Sequence, residues 1–164
     1  MLPEYLRRGN LRRMALRAER HLALHKLQAR LGFAERLRLY PDGVLVCREG
    51  DRLEGYAISH PWRRDSAPSL NASIGAIPED ADTYYVHDFA LDASARGHGL
   101  GSRGIAILKA HARQAGFRTI NLVAVNASGG FWEGHGFRPR HVDGLARKLA
   151  TYGTDATYME CGDF

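Results

Sequence analysis

The stretch ARGHGLGSRG, residues 95–104, places four glycines between Gly97 and Gly104. It follows an apolar run from Tyr84 to Leu91 and precedes a helical pattern from Ile105 to Ala115. A glycine-rich turn between strand and helix lets backbone N–H groups approach an anion. The positive end of the helix that follows favours negative charge there. The reading of the fold turns on which anion this is. Gly99-x-Gly101-x-x-Gly104 matches the dinucleotide fingerprint G-x-G-x-x-G. That fingerprint also asks for an acid about 20 residues on, at the end of the next strand, to hold the ribose. Here that strand ends in Val125-Asn126, and only 60 residues follow Gly104, too few for the rest of a doubly wound sheet. A Walker A loop fails as well, because no Gly-Lys-Ser/Thr follows. Arg96-Gly97-His98-Gly99-Leu100-Gly101 fits a different pattern, R/Q-x-x-G-x-G/A, in which successive backbone amides hold a diphosphate.

The neighbouring elements follow from periodicity. TYYVHDFAL, residues 83–91, is rich in aromatic and β-branched residues and reads as a strand. TINLVAV, residues 119–125, is nearly all apolar, so it is a buried strand, with a helix from about 100 to 115 ahead of it. VLVCRE, residues 44–49, and LEGYAIS, residues 53–59, flank Gly50-Asp51 and form a hairpin. HPWRRDSAPSLNASIGAIPED, residues 60–80, carries three prolines and reads as a long loop. ASGGFWEGHGF is a short helix and a turn, and residues 137–142 and 156–161 are two last strands. Leucines at 16, 24, 27 and 31, with Met14 and Ala23, predict an N-terminal helix ended by Gly32. The order predicts one α/β domain over residues 1–164, with a mixed, mostly antiparallel sheet and one parallel crossover.

Taken together, YPDGVLVC, GYAISHPW, HDFAL, ARGHGLG, FWEGHGF and YGTDATYM resemble the GNAT N-acetyltransferases, and one bacterial branch of small members in particular. The resemblance covers residues 43–164. Residues 1–40 depart from it: the family usually opens with a strand, and a basic helix is expected here. The resemblance implies a twisted sheet with flanking helices, splayed between its fourth and fifth strands. It implies acetyl-CoA as co-substrate and direct acetyl transfer to a primary amine, with no metal.

Carried over by position, the resemblance places the pantetheine arm in the splay. Phe89, Ala90 and Leu91 would meet it through backbone groups. Arg96, Gly97, His98, Gly99, Leu100, Gly101 and Ser102 would hold the pyrophosphate. Asn126 would contact the arm, with Phe131 and Trp132 packed near it. An amine attacks only when neutral, so a base must collect its proton. His87 is the expected base and Asp88 its orienting partner or a contact for a cationic acceptor, with Glu54 and Tyr56 as weaker candidates. Neighbours on a regular strand face opposite ways, so His87 and Asp88 share a site only if the strand bulges. Family members often use a tyrosine as acid where this chain has Trp132, and an indole N–H cannot serve. Ser128 could supply a hydroxyl instead. The loop HPWRRDSAPSLN is expected to line the acceptor cleft, and nothing in it identifies the amine.

Composition sets the remaining bounds. The chain has 164 residues and a net charge of +5. Ten basic residues against three glutamates lie within residues 1–38. No nucleic-acid motif accompanies that charge, so nucleic acid is not expected as a partner. No apolar run is long enough to span a membrane. Cys47 and Cys161 suggest neither a disulfide framework nor a zinc site, and a cytoplasmic protein with reduced thiols is expected. A homodimer stays open. Two alternatives also stay open: an acyl-CoA-binding module of the same fold without turnover, and a nucleic-acid-associated protein acting through its basic N-terminus.

Overall fold

The computed structural model describes residues 4–6, 27–70 and 72–164, with backbone alone for 4–6 and 27–31. Most of the basic N-terminal segment and of its leucine stripe lies outside the described residues. The chain runs β1 (Glu4–Leu6), α1 (Leu27–Leu39), a 3₁₀ turn at Pro41–Gly43, β2 (Val44–Glu49), β3 (Arg52–Trp62), β4 (Thr83–Leu91), α2 (Leu100–Gln114), β5 (Thr119–Ala124), α3 (Gly129–Glu133), β6 (Arg138–Pro139), α4 (Ala146–Leu149) and β7 (Thr157–Gly162). The strands form one sheet in the order β1-β2-β3-β4-β5-β7-β6. Among the described strands only β4 and β5 pair in parallel, and α2 is the crossover between them. The expected mixed, mostly antiparallel sheet with flanking helices is therefore present.

The two faces of the sheet are built differently. Residues 100, 101, 104, 105, 108 and 112 of α2 are buried, which is the i, i+3/i+4 stripe of an amphipathic helix. The stripe packs on Leu45, Ala57, Tyr84, Val86, Ile120 and Leu122, one face of the central strands. Burial of Ile105 and Leu108 contributes roughly 2 kcal/mol each. On the opposite face Phe33 of α1 packs on Val44, Val46, Tyr56 and Ile58. Farther along this face a satellite cluster joins Tyr85 of β4 to Ala67, Leu145 and Tyr158.

Three sequence expectations need correction. α1 runs through Gly32 and ends at Leu39 instead of stopping at Gly32. The backbone N–H of Tyr40 still donates to the Arg36 carbonyl at 2.8 Å, and the Arg36 side chain donates back to the Gly32 carbonyl at 3.0 Å, which ties the helix across the glycine. The chain does open with a strand. β1 pairs antiparallel with β2, Tyr5 opposite Cys47, so the expected departure at the N-terminus is absent at residues 4–6. A three-residue strand is too short to show a period and exists only because β2 offers an edge. Finally, β3 continues through His60-Pro61-Trp62 instead of entering the loop at His60. Proline is tolerated there because β3 has outrun β2, whose last pairing is Val44 with Ile58.

Candidate active site

β4 and β5 pair at only three positions, Tyr84 with Ile120, Tyr85 with Asn121 and Val86 with Leu122. Beyond that point β4 stays with β3 as far as Leu91, and β5 stays with β7 as far as Ala124. The parallel pair therefore opens into a gap. Its β4 side is His87 to Leu91, and Phe89, Ala90 and Leu91 lie on that stretch. Asn126 and Ala127 lie at the end of the β5 side in left-handed backbone, with φ of 54° and 56°. That turn is held by the Ala127 N–H, which donates to Asp155 at 2.7 Å. Ser128 follows at the start of α3.

The glycine loop sits at the mouth of this gap. Gly97 and Gly99 have φ of 80° and 73°, and a Cβ on either would meet nothing within 4 Å. The left-handed backbone explains the glycines, and without side chains they leave the space beside the loop open. α2 begins at Leu100, and its first turn presents backbone N–H groups at that space. Arg96 and His98 are exposed beside it. Gly101 has a different role. A Cβ there would stand 3.0 Å from the Phe131 ring, so glycine lets α3 close onto α2. His135 fastens that contact. Its Nδ1 donates to the Phe131 carbonyl at 2.7 Å, and its Nε2 accepts from the Ser102 hydroxyl at 2.9 Å.

The expected aromatic pair divides. Trp132 is core, 6% exposed, wedged edge-on between Phe89 and Phe137. Phe131 is 39% exposed and lies beside Phe89, with ring centroids 6.2 Å apart. Of the two, only Phe131 offers an accessible apolar surface at the gap.

β4 does bulge where two neighbouring site residues require it. Ile58 opposes Asp88 and Ser59 opposes Val86, so His87 has no counterpart on β3. The extra residue turns His87 and Asp88 to the same face, the one covered by α1. His87 stacks near His60 and Tyr85 there, and Asp88 accepts from the Tyr56 hydroxyl at 2.5 Å. Glu54 is drawn away into an ion pair with Arg52.

Burial controls the protonation of this group. It pushes His87 well below the usual imidazole range, and the charges of Arg36 and His60 push the same way. Burial also lowers His60, to about 4. Both imidazoles are neutral near pH 7. Burial raises the Asp88 carboxyl, against the hydrogen bonds from Tyr56 and the Phe89 N–H and the charge of Arg36. Burial and the neighbouring Asp88 keep the Tyr56 phenol protonated, so it stays a donor.

One residue here escapes the sequence reading: Arg36 reads as one more cation in a basic segment. His60 and Trp62 fall within the loop expected to line the acceptor cleft, without a role of their own. A histidine and an indole two residues apart in an extended segment share a face, which is the signal that could have placed them. Among the described residues, no group of three or more His, Cys, Asp or Glu side chains could hold a metal, and no helix is long and apolar enough to cross a membrane.

The family model for the acetyltransferase (GNAT) family matches residues 10–137, and the chain belongs to that family. The match starts well ahead of residue 43, so residues 10–42 belong to the family pattern too. No curated protein matches the chain. Among solved structures, Ard1 from Thermoplasma volcanium is similar at 15% identity and a TM-score of 0.70, over 100% of this chain and 99% of that one. The loading GNATL domain of CurA from Lyngbya majuscula is similar at 12% identity and a TM-score of 0.73, over 99% of this chain and 98% of that one. N-acetylglutamate synthase from Neisseria gonorrhoeae, solved with coenzyme A and N-acetyl-glutamate, is similar at 14% identity and a TM-score of 0.63, over 99% of this chain and 35% of that one.

Proposed function

We propose that the chain is an acetyl-CoA-dependent N-acetyltransferase acting on a primary amine, with all 164 residues forming one catalytic domain. The observation that carries this reading is the juxtaposition of cradle, gap and bulge: open space at Gly97 and Gly99, a stretch of β4 beside it that has lost its pairing with β5, and two ionisable side chains turned to one face by the bulge. Acetyl-CoA would supply an activated thioester carbonyl. Arg96 to Ser102 would hold its pyrophosphate, Phe89 to Leu91 and Asn126 its arm, and Phe131 would cover the arm's apolar part.

The chain's own residues then have defined tasks. The amine nitrogen bonds to the carbonyl carbon, the carbon–sulfur bond breaks, and one amine proton must leave. His87, neutral at pH 7, would accept that proton directly or through water. Asp88, fixed by Tyr56, would lie close enough to favour a cationic amine on arrival. The departing thiolate takes a proton from the Ser128 hydroxyl or from water, since Trp132 is buried and cannot serve. The alternative is a non-catalytic acyl-CoA-binding module of the same fold. Incubation with acetyl-CoA and a panel of amines, following free thiol release, tests it. Amine-dependent release is expected, and acetyl-CoA binding without release would leave only the module.

A further inference from the structure

We propose that the amine acceptor also carries a carboxylate, seated on the α1 face of the β4 bulge against Arg36 and Trp62. This deepens the acetyltransferase reading and rests on it.

Four buried side-chain atoms without a hydrogen-bond partner among the described residues lie on that face: Arg36 Nε, His60 Nε2, Trp62 Nε1 and His87 Nδ1. They come from three elements, α1, β3 and β4. Their rings adjoin: His60 lies 5.3 Å from Trp62 and 6.2 Å from His87, centroid to centroid. An unsatisfied buried polar group costs free energy, so four in one place indicate a ligand. Their chemistry limits which. Arg36 Nε–H and the Trp62 indole N–H can only donate. His60 Nδ1 donates to the Pro61 carbonyl, so neutral His60 presents an acceptor at Nε2.

Charge points to an anion. The Arg36 side chain is 1% exposed, and among the described residues its terminal nitrogens bond only the Gly32 and Ala72 carbonyls. A Glu35 carboxylate oxygen is 3.9 Å away, and that carboxylate already accepts from the Ser73 hydroxyl and from the N–H groups of Ile74 and Gly75. The guanidinium acts electrostatically on His60, His87, Asp88, Tyr85 and Tyr152, so its charge falls on this cluster. Buried cations need a counter-charge, and a substrate carboxylate supplies one. The same ligand's ammonium group is matched by Asp88, beside the proposed base. The loop is anchored over this face: Ala67 accepts from Lys148 and Ala72 from Arg36. An acceptor with both groups, amino-acid-like and small, fits this pattern. A polyamine would set a second cation against Arg36.

The test is steady-state kinetics with acetyl-CoA and each of a set of amino acids beside its carboxamide and its decarboxylated amine. Carboxylates should be preferred by 30-fold or more in kcat/KM. Trp62→Phe, which removes only the N–H donor, should raise KM for the preferred amino acid about tenfold, with kcat and acetyl-CoA affinity retained. Arg36→Gln should erase the preference, and Trp62→Phe carries the test if that variant does not fold. Equal or better turnover of the carboxamides or amines would overturn the proposal while leaving the acetyltransferase reading intact, and water would then be the partner of these atoms. A carboxylate preference unchanged in Trp62→Phe would place the anion elsewhere and overturn the site. Acetyl-CoA binding with no amine turned over would sink both readings.

Discussion

The glycine loop and the β4 bulge lie on neighbouring parts of one strand–loop–helix unit, yet they are made in opposite ways. The loop is open and exposed, and its shape is set by its own residues: two glycines with positive φ and the start of a helix. The bulge region is buried and polar, and its shape is set by residues from α1, β3 and β4 that meet only in the folded chain. On the proposed reading the loop would hold the cofactor through backbone groups, and the bulge would meet the acceptor through side chains. Cofactor affinity and acceptor chemistry should therefore respond to different mutations.

The largest effect should come at the loop. Gly99→Asp forces a side chain into left-handed backbone and puts a negative charge in the cradle. Acetyl-CoA binding should become undetectable by calorimetry while far-UV circular dichroism is retained. NAD should not bind to the parent protein. Retained binding of acetyl-CoA to Gly99→Asp would remove the loop from the site.

Next in size is His87→Ala, which should lower turnover about 100-fold, the usual worth of a positioned base. Acetyl-CoA affinity should not move. Because burial holds His87 well below the usual imidazole range, the acidic limb of the parent's rate profile should lie below about pH 6.5 and be lost in the variant. Near-normal turnover across pH 6 to 9 would make His87 structural.

A third test asks whether the bulge region is the polar, dehydrated place its burial implies. His60 has a folded pKa of about 4 against an unfolded value near 6.5. As pH falls below about 6.5 the unfolded state takes up a proton that the folded state refuses until about pH 4. Stability present at pH 7 is thus lost on acidification, by about 2 kcal/mol between pH 7 and pH 5 from this group. Urea midpoints of the parent should fall over that interval by more than those of His60→Asn. Equal falls would mean that His60 is hydrated.

The smallest effect concerns the far edge of the sheet. Removing residues 1–10 deletes β1 and bares the edge of β2, so the melting temperature should drop. Two strands separate β1 from β4, so acetyl-CoA affinity should change less than threefold, about 0.65 kcal/mol. A larger loss would join the N-terminus to the cradle and erase the contrast between the two regions.

Sequence alone determined what depends on contiguous residues. The hairpin at Gly50-Asp51, β4, the glycine turn, α2 and the buried β5 were all legible, because turn chemistry, hydrophobic period and helix start are local properties. The glycines at 97 and 99 show their purpose in the sequence since only a positive φ or a close ligand asks for them. Tertiary structure alone decided the rest. His87 and Asp88 share a face because β3 sets a register that skips His87, and no pattern within β4 encodes its partner's register. His60-Pro61-Trp62 reads as loop until β4 is there to pair with it and β2 has stopped. Arg36 looks like surface charge until α1 lays it under a loop 36 residues away. Local preferences act over a few residues, whereas burial of a charge and the pairing of a strand exist only once distant parts of the chain are brought together.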